Sequence, residues 1–311
     1  MNTHSDAVPQ SRSNAQAASD TRFSPTQPLY WSVRREIWEN RSLYLAPVAA
    51  AGIYLLAFII SAAHLSQRMR DAMSMYSMEG HSALERPYNF AALLMMGTTM
   101  IVSIFYCLDA FQSERRDRSI LFWKSLPVSD LTTVLSKVSV PFVVLPAIAI
   151  GLTIAMQWIM LLVSSAVLVT HGMSPASLWT QLQPPRMWAM VAYHMVTVHV
   201  LWYAPYYCWM LLVSAWARRA PFVWAILPLF VISLAEKIAF NTWRFGALLL
   251  NRLGGSGSAT PGPAGDFPVD AMTHLTPFKF LSEPGLWVGL LLSALFLAAA
   301  MKLRRERGAT S

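Results

Sequence analysis

Residues 138–170 read VSVPFVVLPAIAIGLTIAMQWIMLLVSSAVLVT, a run without one Asp, Glu, Lys or Arg. As a helix it would rise about 50 Å, against a hydrocarbon core of about 30 Å. Two spans and a turn need more residues, so the run predicts one long helix whose ends reach the headgroup layers, with Pro141, Pro146 and Gly151 as the places for a bend. A helix apolar all round belongs in a bilayer or in the middle of a large core. Composition decides between them. Of the 311 residues, 55% are apolar and 13% charged, where a soluble domain carries roughly 25% charged residues to face water. Further apolar runs, free of charge except for Glu236 and Lys237, occupy 45–63, 90–108, 188–213, 222–240 and 285–301, which with 138–170 predicts six crossings. The expected fold is therefore all-α: a polytopic membrane protein of six transmembrane helices.

Outside the spans, residues 1–28 are rich in Ser, Gln, Ala, Asn, Thr and Pro and lack the apolar core of a signal peptide, so they are expected to be a disordered cytoplasmic tail. From 29 to 43, Leu29, Val33 and Ile37 recur every four residues while Arg34, Arg35, Glu39 and Arg41 fall elsewhere, the pattern of an amphipathic helix lying on a membrane surface. One domain, 29–307, follows, with a short tail at 308–311. Fourteen Lys and Arg flank one side of the six spans (Arg34, Arg35 and Arg41; Arg115, Arg116, Arg118, Lys124 and Lys137; Arg218 and Arg219; Lys302, Arg304, Arg305 and Arg307) against seven on the other. Cytoplasmic flanks carry the excess of positive charge, so both termini are expected in the cytoplasm. This asymmetry also accounts for much of the net charge of +8, and nucleic acid is not an expected partner. The outer loop 241–284 contains LGGSGSATPGPAGDFP at 253–268, a flexible linker by composition.

Little in the chain suggests bond-making chemistry. No Gly-Lys pair exists from which a phosphate-cradling loop could be built, so the chain is not expected to hydrolyse ATP by itself. The two cysteines, Cys107 and Cys208, lie inside apolar runs and are too few for a disulfide framework or a thiolate zinc cluster. His194 and His199 share the fourth run, but a spacing of five leaves them some 140° apart on a helix, poorly placed to share one metal ion. Glu236 and Lys237 sit near the outer end of the fifth run. Charges there either anchor at the interface or line a substrate route. The aromatic stretch WYAPYYCWM, 202–210, suits packing, and Pro205 within it would bend the helix. A membrane enzyme or haem protein using His194, His199, Glu236 or Asp109, and an ion-coupled secondary transporter, are the rival readings.

The most charged stretch beside a span is SERRDRSILFWKSLPVSDLTTVLSK, ending at Lys137. Glu114, Arg115, Arg116 and Arg118 extend the second helix beyond the membrane. Ser119, Ile120, Leu121, Phe122 and Trp123 follow as a largely apolar surface. Pro127 and Val128 break the helix, and Ser129 with Asp130 starts a new one running to Lys137. A short helix with an apolar and basic face suits docking to a cytoplasmic partner. This order resembles the membrane subunits of type-2 ABC exporters, whose loop carries an acid, Arg, a small hydroxyl or Gly, an apolar pair, Leu-x-x-Pro-Val-Ser and a Lys. Glu114, Arg115, Ser119, Leu121, Pro127, Val128, Ser129 and Lys137 match it. The resemblance implies a permease of the bacterial inner membrane with an amino-terminal surface helix and a cytoplasmic coupling helix. It implies two copies of a separate ATP-binding cassette ATPase that hold ATP and magnesium, and a second permease subunit, identical or not. Arg218 and Arg219 would form a smaller second contact with the ATPase. No cofactor is expected in this chain.

Overall fold

The computed structural model describes residues 26–62, 78–113, 130–253 and 277–309, and all regular structure among them is helical. The first helices are α1 (Thr26–Glu39), α2 (Ser42–Ala62), α3 (Met78–Asp109) and α4 (Asp130–Ser139). A π-helical turn at Val140–Val144 joins α4 to α5 (Leu145–Thr170). Next come α6 (Ala176–Leu182) and α7 (Pro184–His194), a second π-helical segment at Met195–Trp202, and α8 (Ala204–Trp216). The chain closes with α9 (Pro221–Phe240), α10 (Arg244–Leu253), α11 (Pro277–Leu281) and α12 (Pro284–Ala309).

Five helices are long and apolar enough to cross a membrane: Ser42–Ala62, Leu84–Asp109, Leu131–Thr170, Pro221–Phe240 and Pro284–Glu306. The charge-free run at 138–170 is indeed one helix, continued back to Leu131 for 40 residues. Its irregularity falls at Pro141, whose missing N–H leaves the local ladder to close in the wider π pattern. The apolar run at 188–213 behaves differently. It belongs to a broken pair, Ala176–Trp202 and Ala204–Trp216, bent by 48°. Pro205 stands in the first turn after the break, where its fixed φ starts a helix but cannot continue the preceding one. The carboxyl-terminal end of α5 closes at Gly172, whose φ of 71° lets the Met173 N–H reach back to Leu168 O at 2.9 Å.

The centre of the bundle is α3, which packs on α2, α5 and α8. Between helices this apolar, close packing and side-chain hydrogen bonds hold neighbours together. Accordingly, small residues stand buried at the contacts: Ala91 and Ala92 on α3, Ala149, Thr153 and Ser164 on α5. Buried hydrogen bonds cross the same seams. Tyr88 Oη lies 3.1 Å from Ser164 Oγ, and the Gln157 amide donates to Tyr88 O at 3.2 Å. From α2, Tyr54 donates to Pro87 O at 2.6 Å. By contrast α9 stands at the edge, burying only Ala225 and Ser233.

Helix α1 turns an unexpected face to the bundle. Leu29 and Val33 are half-buried, but the residue fully enclosed between them and Asn40 is Glu36. The outward face carries Trp31, Arg34 and Trp38.

Candidate functional site

Glu36 points into the junction of three helices. Its Oε1 accepts from Lys137 Nζ at 2.9 Å and its Oε2 from the Tyr106 hydroxyl at 2.8 Å. All three residues are buried, Glu36 and Lys137 with side chains 5% and 3% exposed. Taking two charges out of water costs several kcal/mol per ion, on the order of what their attraction returns, and the balance is met only when the remaining polar atoms are also bonded. Here both carboxylate oxygens are engaged, by partners from different helices. Local sequence delivers them. Lys137 lies in the second turn of the helix that runs on to Thr170, and Tyr106 lies one turn before the end of α3.

Phe111, just past α3, completes the cluster. Its ring lies 5.5 Å from Lys137 Nζ and 5.7 Å from the Arg304 guanidinium of α12, a cation against the aromatic face from each. Its backbone N–H donates to Ser214 Oγ of α8 at 3.0 Å. Helices α1, α3, α4, α8 and α12 are thus pinned together between residue 113, where the described part of α3's extension ends, and residue 130, where α4 begins.

The sequence-derived candidates distribute as follows. Glu114, Arg115, Arg116, Arg118, Ser119, Leu121, Phe122, Trp123, Pro127, Val128 and Ser129 lie outside the described residues. Lys137 is in the cluster. Arg218 and Arg219 are exposed on the connection from α8 to α9, four and five residues after Ser214, and so at the same end of the bundle. Glu236 and Lys237 lie at the opposite end. Glu236 accepts from Thr242 Oγ1 at 2.7 Å and from the backbone N–H groups of Arg244 and Phe245 at 2.8 Å each. It caps the start of α10, whose first N–H groups would otherwise lack partners. Lys237 is exposed, and its carbonyl accepts from Asn241, which ends α9 in the left-handed conformation.

Helix α10 is held over the break before α8. Arg252 donates from Nε to Trp202 O at 3.1 Å and from Nη1 to Gly285 O at 2.9 Å, while its guanidinium lies 4.5 Å from the Trp202 ring. Trp202, Tyr203 and Tyr206 each donate back to carbonyls of α10, those of Arg252, Leu253 and Leu249. His194 bonds Met190 O through Nδ1 at 2.9 Å, and His199 lies 3.3 Å from the Tyr207 hydroxyl. Among the described residues no group of three or more His, Cys, Asp or Glu is placed to hold a metal ion.

Sequence reasoning missed Glu36, Tyr106, Phe111 and Arg252. For Glu36 a signal existed: an acid one turn from Val33, on the apolar stripe, asks for a buried partner. Nothing local marked Tyr106 or Arg252, because their partners lie 70 and 50 residues away. Searches against protein-family models, curated proteins and solved structures returned no match.

Proposed function

We propose that the chain is the membrane subunit of a type-2 ABC exporter, driven by a separate ATP-binding cassette ATPase. The observation that carries the reading is the conjunction of the Glu114 to Ser129 sequence pattern with a buried ionic lock where that segment meets the bundle. The segment supplies the acid, the arginines, the apolar cluster of Leu121, Phe122 and Trp123, and the Pro127, Val128, Ser129 restart. The lock supplies what a coupling element requires of its base. A push on the segment reaches α4 through the chain itself, and the Lys137 to Glu36 to Tyr106 bonds tie α4, α1 and α3 to one another.

In this reading the broken α7–α8 pair counts as one span, giving six, and both termini face the cytoplasm, in accord with the fourteen-to-seven bias of Lys and Arg. Helix α1 lies at the cytoplasmic membrane surface. Arg218 and Arg219 add a second contact to the ATPase. The partner supplies ATP and magnesium, and a second membrane subunit completes the path, so that ATP-driven closure of the ATPases alternates access between the two sides.

The reading requires an ATP-binding cassette ATPase encoded in the same genome, and the test is its capture by this chain. Wild-type chain should retain it, whereas Trp123→Ala and Arg116→Glu should each weaken retention by roughly thirtyfold, the loss typical of an aromatic or Arg anchor, with membrane insertion unchanged. Undiminished capture by both variants, or magnesium-dependent ATP hydrolysis by the isolated chain, would overturn the assignment.

A further inference from the structure

Glu36 turns inward on α1, and the opposite side of the same helix carries an arrangement that neither packing nor ion pairing explains. Trp31, Arg34 and Trp38 lie within about 60° of one another on the helical wheel, roughly opposite Glu36. The Arg34 guanidinium carbon is 5.2 Å from the Trp31 ring and 4.9 Å from the Trp38 ring, a cation held between two indoles. Both indoles are more than half exposed, at 59% and 69%, and Tyr30 beside them at 60%. Among the described residues Arg34 has no acidic partner, while its neighbour Arg35 is committed to Glu39 at 2.6 Å. Two residues past α1, the exposed Arg41 leads into α2, one of the five helices able to cross a membrane.

Three properties of this face select one occupant. Trp and Tyr settle at the headgroup level of a bilayer because their rings are apolar and their N–H or O–H is polar. A guanidinium presents a fork of donors that fits the oxygens of a phosphate. Stacking between two rings limits the rotamers of Arg34, so less entropy remains to be lost on binding. We infer that Trp31, Arg34 and Trp38 form a binding site for the phosphate of an anionic phospholipid at the edge of the bundle. The inference rests on the placement of α1 at the membrane surface and is independent of the export assignment. Lipid bound there would sit directly behind Glu36, and would resist lifting of α1 away from the bilayer.

The experiment offers full-length chain in an uncharged detergent equal amounts of phosphatidylglycerol and phosphatidylcholine with the same acyl chains, and counts retained lipid by native mass spectrometry. Wild type should favour phosphatidylglycerol about fivefold, equivalent to about 1 kcal/mol for one basic residue at an anionic surface. Arg34→Gln should retain the two lipids equally. The double variant Trp31→Leu, Trp38→Leu, which keeps Arg34, should lose most of the preference, and Arg35→Gln should keep it. Melting curves of each variant verify folding, since the substituted face is not packed. An Arg34→Gln chain with the wild-type preference overturns the site. So does displacement of phosphatidylglycerol by millimolar inorganic phosphate, which would mark a free-anion site, or a change of oligomeric state in Arg34→Gln, which would mark a contact between copies. A second readout separates the site from its premise: in bilayers with bromines high in the acyl chains, wild type should lose more Trp fluorescence than Trp31→Phe, Trp38→Phe. If that difference is seen without lipid preference, α1 is at the surface and only the lipid site falls. If it is not seen, both fall.

Discussion

Lys137→Met and Glu36→Gln are not equivalent to their combination. Removing the ammonium alone leaves a carboxylate buried at 4% exposure with one hydroxyl for company, and breaking a buried pair in this way costs about 3–5 kcal/mol. The double variant leaves no charge behind and should recover much of the loss. Melting of the detergent-solubilised chain checks this: Lys137→Met should unfold well below wild type and the double variant between them. If the single and double variants melt together, the pair is not the stabilising unit described here. Tyr106→Phe removes one hydrogen bond to a charged oxygen, worth about 1.5–3 kcal/mol. Its cost should largely disappear in a chain that already carries Glu36→Gln, because the two residues share one interaction.

At the scale of elements, α10 is fastened by Glu236 at its start, by Arg252 at its end, and by Trp202, Tyr203 and Tyr206, which donate to carbonyls of its second half. The guanidinium of Arg252 lies so close to Gly289 of α12 that a Cβ at that position would overlap it. Gly289→Ala should therefore expel Arg252, breaking its bonds to Trp202 O and Gly285 O, at about 1–3 kcal/mol. Hydrogen exchange measured by mass spectrometry should quicken across 244–253 while α3 and α5 stay protected. Gly52→Ala, where added methyl meets nothing within 4 Å, is the control. Glu236→Ala should quicken exchange at Arg244 and Phe245 alone, the amides it caps. These elements also show where the sequence was legible. Long apolar runs announced the five membrane-length helices, because a helix satisfies its own backbone in hydrocarbon, and the 40-residue helix was readable as one. The break after Trp202 was marked by Pro205 but not its π-helical approach, since the stabilising bonds come from Arg252, Tyr203 and Tyr206 meeting across the fold. In α1 periodicity found the helix but not the buried Glu36, which Leu29 and Val33 flank, while the exposed face is aromatic and basic.

Over the whole molecule, the sidedness of the charges predicts how the chain crosses a membrane. A phosphatase active only outside the cytoplasm should be inactive when fused after Arg307 and active when fused after Gly257, and activity at Arg307 would invert the topology. The ionic lock then acquires a meaning during synthesis. Glu36 is made 101 residues before Lys137 and 70 before Tyr106. At a ribosomal pace of 5–20 residues per second, the acid waits about 5–20 s for its cation, through the emergence of two apolar segments. Throughout that interval α1 carries an unneutralised acid on the side destined for the interior, which favours keeping it in water. The Glu36 to Lys137 pair can therefore form only after the third long helix has begun, so the contact that fastens the amino-terminal helix is among those the chain cannot complete early.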